Sequence, residues 1–191
     1  MIEQVRTFIA IELPPGVKRV MEDAEQELKA ASPAPVRWVK PDNVHLTLKF
    51  LGNVQTALIP GLVDGVREAV AGLGPFHLAV ARLGAFPNPA RARVLWVGLE
   101  GDLESLSDLQ QRVEGVTARR GFPKDERHFS PHLTLGRVNN ASSDRQRLLK
   151  DALGGVAMPL DVAFEVTEIV VMRSDLRPGG AVYSPLGRAS L

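Results

Sequence analysis

Two short stretches of the 191-residue chain set the same reactive groups at the same spacing: His45-Leu46-Thr47-Leu48 and, in the second half, His132-Leu133-Thr134-Leu135. Side chains alternate between the faces of a strand, so each histidine shares a face with the threonine two residues on, and the leucines take the other. Each copy is therefore half reagent and half core. An imidazole donates or accepts a proton near neutral pH, and a hydroxyl beside it can hydrogen-bond a substrate oxygen. Two copies on related strands could bring two histidines and two threonines to one cleft from opposite sides, a geometry suited to acid–base work on a phosphate. A lone histidine on a strand is more often structural, and we read His77 and His128 in that way.

The elements that must position these groups follow from periodicity. Alternation predicts a strand over Val5–Leu13, with Thr7, Ile9 and Ile11 on one face and Arg6, Phe8 and Ala10 on the other. Apolar residues at helical spacing predict helices over Pro15–Ala31, about Ala57–Leu73, Asp102–Arg119 and Ser142–Leu153, with Asp102 as an N-cap. Further strands are expected at Val36–Val39, Val44–Leu51 (ended by Gly52-Asn53), Phe76–Phe86, Val94–Leu99, His132–Val138 and Asp161–Arg173, with a closing arm at Val182-Tyr183. Mixed elements with hairpin-like adjacencies favour α+β over a doubly wound parallel sheet. No linker separates independent domains, so residues 1–191 are expected to form one unit of two related lobes.

Composition narrows the function classes. The chain is 45% hydrophobic, with 23 basic against 22 acidic residues, so any contact with nucleic acid should be local rather than a global electrostatic effect. It contains no cysteine, which removes disulfides, thiol nucleophiles and thiolate metal sites. No signal-like start and no stretch approaching ~20 apolar residues is evident, so the expectation is a cytoplasmic protein without a membrane span, monomeric by default. Each His-x-Thr motif offers one metal ligand and no third is evident, so a metal site is not expected. Lys40-Pro41-Asp42-Asn43 lacks the glycine of the Lys-x-Asp-Gly nucleophile of ATP-dependent ligases, and there is no Gly-x-x-x-x-Gly-Lys phosphate loop.

More than the tetrapeptides carries a resemblance. Arg6–Ile11, Val36–Val39, Val44–Gly52, Arg91–Trp96, Phe129–Arg137, and Ser174–Gly180 with Tyr183 resemble, in order, the blocks of the two-histidine phosphoesterases. They are most similar to the LigT branch, RNA 2′,3′-cyclic phosphodiesterases also called 2′-5′ RNA ligases. The resemblance implies a bilobal α+β fold, with two pseudo-symmetric lobes of antiparallel sheet, helices outside and a central cleft lined by the motif strands. It implies cofactor-free hydrolysis of RNA 2′,3′-cyclic phosphate ends to a 2′-phosphate, reversible as ATP-independent 2′-5′ ligation. His45 would be the proton donor to the leaving oxygen and His132 the base, an assignment that the locally alike motifs leave open by themselves. Thr47 and Thr134 would hold the non-bridging oxygens, with Arg137 a further phosphate candidate.

Phe8, Arg37, Lys49, Arg91 and Arg127 are candidates for RNA contact from location alone, as are Trp38 for stacking and Arg173 for the backbone; Trp38 and Trp96 also suit packing. The partner expected is an RNA 3′ end, single-stranded or tRNA-like. The alternatives are a phosphodiesterase of small cyclic phosphates, such as a cyclic nucleotide or ADP-ribose 1″,2″-cyclic phosphate, and a non-catalytic RNA-end-binding module.

Overall fold

The computed structural model describes residues 3–159, 162–178 and 180–191. Along the chain run β1 (Gln4–Glu12), α1 (Pro15–Ala31), β2 (Val36–Trp38), β3 (His45–Gln55), α2 (Ile59–Val70), β4 (Phe76–Phe86) and β5 (Val94–Gly101). They are followed by α3 (Leu103–Ala118), β6 (His132–Val138), α4 (Ser143–Gly155), β7 (Ala163–Val166), β8 (Glu168–Arg177) and β9 (Gly180–Ser190). The fold is α+β: all strand pairings are antiparallel, and the helices stand outside a curled sheet. None of the described helices is long and apolar enough to cross a membrane.

Local chemistry accounts for the elements. Pro15 opens α1, where its missing N–H costs nothing, and Val17, Met21, Ala24 and Leu28 recur every three or four residues to bury one stripe. In α3 the same stripe is Leu106, Leu109 and Val113. Burying one such leucine fully stabilises the fold by roughly 1.5–3 kcal/mol. Asp102 does precede α3, but its carboxylate accepts from the backbone N–H of His77 (2.9 Å) and makes no side-chain cap, so it ties the helix start to β4.

The sheet runs β7-β4-β5-β6-β3-β1-β8-β9, with β2 also paired to β6. This order reads as two four-strand halves about the β6/β3 boundary, each with one motif strand at that boundary. The halves are interleaved in sequence: β4 leaves the first half of the chain to pair with β5, and β8 leaves the second half to pair with β1. The expected continuous strand Asp161–Arg173 is for this reason two strands, divided at Thr167, where the chain passes from pairing with β4 to pairing with β1. An unbroken apolar pattern cannot reveal a change of partner. Asp161, the expected start of that strand, lies outside the described residues, as does Gly179 of the C-terminal block.

Strand β1 separates two apolar regions. Ile9 and Ile11 belong to the main core under the helices, whereas Phe8 and Ala10 join a small cluster with Val170, Met172 and Tyr183 on the opposite, concave face. The alternation expected for this strand holds. Gly52 does not end β3; at φ 71° it sits at a register shift beside Thr7, and the strand continues to Gln55.

Candidate active site

His45 and His132 open β3 and β6, and each is held by the same local device. His45 Nδ1 lies 2.8 Å from the carbonyl oxygen of Asn43, and His132 Nδ1 lies 2.7 Å from that of Ser130, two residues upstream in both cases. A carbonyl oxygen only accepts, so each Nδ1 carries the hydrogen and each Nε2 is left to exchange a proton. The strands pair antiparallel through Leu46 and Leu133. Extending that register one residue each way sets His45 across from Thr134 and Thr47 across from His132. The two imidazoles are then diagonal neighbours on one face, with backbones roughly 7–8 Å apart.

Past the threonines both strands carry an extra residue. Ile9 pairs with Lys49 but Ala10 with Thr47, leaving Leu48 unpaired; Leu95 pairs with Gly136 but Trp96 with Thr134, leaving Leu135 unpaired. The two bulges occupy equivalent positions and reset the alternation. Burial over His45–Phe50 and His132–Arg137 is accordingly the same: half-buried, buried, half-buried, buried, buried, exposed. Strict alternation puts Lys49 on the histidine face; the bulge turns it inward instead. At 3% exposure Lys49 Nζ pairs with the Glu114 carboxylate at 2.6 Å and donates to the Pro123 carbonyl at 2.9 Å, so its expected place among RNA-contacting residues is corrected. The two bulges return Phe50 and Arg137, one on each strand, to the cleft face.

The histidines differ in what surrounds them. His45 is stacked on Phe8 (ring centroids 4.6 Å, 27° between planes) and meets the edge of Tyr183 at 5.1 Å. Its pKa lies below the usual value near 6.5, because burial disfavours the imidazolium; the Asn43 carbonyl and the Glu12 carboxylate oppose that effect. His132 has Phe86 edge-on at 5.0 Å, and Phe86 in turn packs on Trp96. Phe8 is 2% exposed, with His45, Tyr183 and Phe50 around its ring, so it supports an imidazole rather than offering a free face to a base.

A cleft of about 490 Å³ opens beside His45, lined among others by Arg6, Arg37, Trp38, Lys40, Phe50 and Arg137. A neighbouring cavity of about 370 Å³ reaches His45 itself, past Asn43 and Tyr183. Between them Asn43 Nδ2 donates to the Ala181 carbonyl at 2.7 Å, tying the residue that anchors His45 to the arm that carries Tyr183. Tyr183 has a raised pKa, owing first to burial, with Arg6 and Arg137 acting against it.

Of the expected residues, then, Arg37 and Arg137 line the cleft with Trp38, which also packs against the core. Arg91 borders a separate depression with Arg93 and Gln146, and Arg127 lies exposed in the loop before β6; neither reaches the cleft lining. Arg173 is paired with Asp175 at 2.9 Å. His77 and His128 are exposed and line neither cavity. Asn43, Phe50 and Phe86 stand at the site without being among the expected residues. The sequence does hold a signal for Phe50: lengthening the repeated tetrapeptides by two residues aligns it with Arg137.

Residues 11–96 and 97–183 each match the family described as LigT like Phosphoesterase. An RNA 2′,3′-cyclic phosphodiesterase of Methanothermobacter thermautotrophicus is 35% identical over 184 residues, covering 96% of this chain and 97% of that one. One of Thermotoga maritima is 32% identical over 95% of this chain and 93% of its own length. Among solved structures, Escherichia coli LigT complexed with 3′-AMP superposes with a TM-score of 0.75 at 29% identity, covering 99% of both chains. A protein of Thermus thermophilus gives a TM-score of 0.78 at 25% identity over 97% of both. With its two matched repeats spanning almost the whole length, the chain belongs to the LigT-like phosphoesterases.

Proposed function

We propose that this protein is an RNA 2′,3′-cyclic phosphodiesterase that opens the cyclic phosphate at an RNA 3′ end to a 2′-phosphate, with His45 and His132 as its acid and base. The observation that carries the reading is the duplicated device of an imidazole anchored through Nδ1 to the carbonyl two residues upstream, with a threonine hydroxyl across the strand pair. His132 Nε2 takes a proton from water as its oxygen attacks phosphorus. The bond from phosphorus to the ribose 3′ oxygen breaks on the opposite side, and His45 Nε2–H protonates that oxygen. Thr47 and Thr134 donate to the non-bridging oxygens, where charge develops, and Arg137 supplies a nearby positive charge.

The donor role asks His45 to be an imidazolium, whereas burial in the free protein favours its neutral form. The anionic phosphate, seated between the imidazoles, acts in the opposite direction and favours the protonated donor. An RNA 5′ hydroxyl in place of water gives a 2′-5′ linkage at the same site, driven by the strained ring. A monomer working on RNA ends in the cytoplasm suits this chemistry, and sedimentation of the free protein tests the monomer.

The deciding experiment is metal-free turnover of an RNA oligonucleotide ending in a 2′,3′-cyclic phosphate, with the product's phosphate position identified. A 2′-phosphate product and loss in both His45→Ala and His132→Ala support the mechanism. Turnover only of small cyclic phosphates moves the assignment to those substrates, and turnover that survives both substitutions ends it.

A further inference from the structure

The two imidazoles share their local hold but not their neighbours across the sheet. Strand β1 lies beside β3 as β5 lies beside β6, and the partners fall at matching places. Ala10 and Glu12 stand opposite Thr47 and His45, and Trp96 and Gly98 opposite Thr134 and His132. Residues directly opposite in an antiparallel pair present their side chains on one face. His45 therefore has a carboxylate as its cross-strand neighbour, and His132 has a glycine. Crowding does not dictate that glycine, since a Cβ on Gly98 would meet its nearest neighbours, the Arg82 carbonyl and the Trp96 ring, at 3.4 Å, an ordinary contact distance.

The Glu12 carboxylate is fixed from the far side. Arg188 Nη1 on β9 lies 2.7 Å from Glu12 Oε2 and also pairs with Glu168. One guanidinium shared by two carboxylates leaves the group with one negative charge, and Glu12 lines the cavity that reaches His45. Lys18 on α1, Lys40 and Asp42 before β3 and Tyr183 on β9 border the same cavity, and His132 stands diagonally on β6. Of these charges it is that of Glu12 which favours the His45 imidazolium, against the effect of burial.

The two tetrapeptides are alike residue for residue, so what gives their histidines different tasks lies outside them. Resting on the function proposed above, we propose that Glu12 is the positioning residue that reserves the donor role for His45: its carboxylate, fixed by Arg188, sustains the imidazolium across the strand pair, while His132, opposite Gly98, is left to serve as the base.

The histidine ring protons, followed against pH in the free protein, give a readout that needs no turnover. Glu12→Gln keeps the shape and removes the charge; it should lower the pKa of His45 and leave that of His132 in place, and Glu12→Asp should restore His45. Arg188→Met, which frees the carboxylate from its cation, should move His45 the other way. With cyclic-phosphate RNA, Glu12→Gln should lower kcat about threefold at pH 8, the effect of one unit charge a strand's width away through water. The gap to wild type should close toward pH 5, where His45 is protonated without help, whereas a purely structural role lowers kcat alike at every pH. An unmoved His45 in Glu12→Gln, His45 and His132 moving together, or a loss independent of pH overturns the inference. If wild type hydrolyses no cyclic phosphate the catalytic reading fails, whereas normal turnover with an unmoved His45 defeats the role of Glu12 alone.

Discussion

The two motif strands share a six-residue frame and fill its last two places with opposite chemistry. Inside the bulge, β3 has Lys49 where β6 has Gly136; on the cleft face, β3 has Phe50 where β6 has Arg137. The inward place is occupied by an ion pair reaching α3 in one lobe and left empty in the other, because β2 lies there. A Cβ on Gly136 would meet Val36 Cγ1 at 2.6 Å and the Arg37 carbonyl at 3.1 Å. The absence of one side chain thus lets a short extra strand dock, and that strand carries Arg37 and Trp38 to the cleft. The first four places of the frame are therefore identical in the two strands, and the last two make the lobes differ.

The largest effect belongs to the shared part: His45→Ala and His132→Ala should each lower kcat on cyclic-phosphate RNA by about 100-fold or more, the usual contribution of a positioned acid or base. Retention of activity in one of them would separate the lobes chemically. Next is the inward place. Lys49→Ala leaves the Glu114 carboxylate buried without its cation and should cost about 3–5 kcal/mol in urea unfolding. Lys49→Met combined with Glu114→Leu should recover most of that loss, since a packed apolar pair replaces a buried ion pair without an orphan charge.

A smaller contrast lies just upstream of each histidine. Asn43 anchors His45 through its carbonyl and also ties its side chain to Ala181, whereas Ser130 anchors His132 through its carbonyl. Asn43→Ala should therefore destabilise the fold by about 1 kcal/mol, the net worth of one hydrogen bond, and lower kcat. Ser130→Ala should change little in either thermal unfolding or turnover. The smallest effect is on stability against pH. The His45 pKa is depressed on folding, so the unfolded chain binds more protons between the folded value and about 6.5. Stability should fall as pH drops through that window, and His45→Gln should flatten the slope measured by thermal melts.

These features are unevenly legible in the sequence. Helices α1 and α3 and the face assignment of β1 follow from apolar spacing, and the histidines from duplication, because those signals are local and repeated. Lys49 misleads because one unpaired residue inverts every later side chain, and a bulge leaves no mark in apolar periodicity. Phe8 reads as an RNA contact by location although the concave face holds its own apolar cluster, which only the β8 and β9 pairings reveal. The division at Thr167 is hidden for the same reason: choice of partner strand is a tertiary fact.

The exchange of β4 and β8 between the halves has an implication for how such a cleft can be asymmetric at all. A half-chain of this design, acting alone, would need a second copy of itself to supply the exchanged strand, and the pair would close as a twofold dimer. In a symmetric dimer whatever stands on one wall must stand on the other: two phenylalanines or two arginines at the cleft face, never one of each. Joining the halves in one polypeptide removes that obligation. Position 50 and position 137 can then hold different residues, Phe50 and Arg137, and the two walls of the cleft need not match.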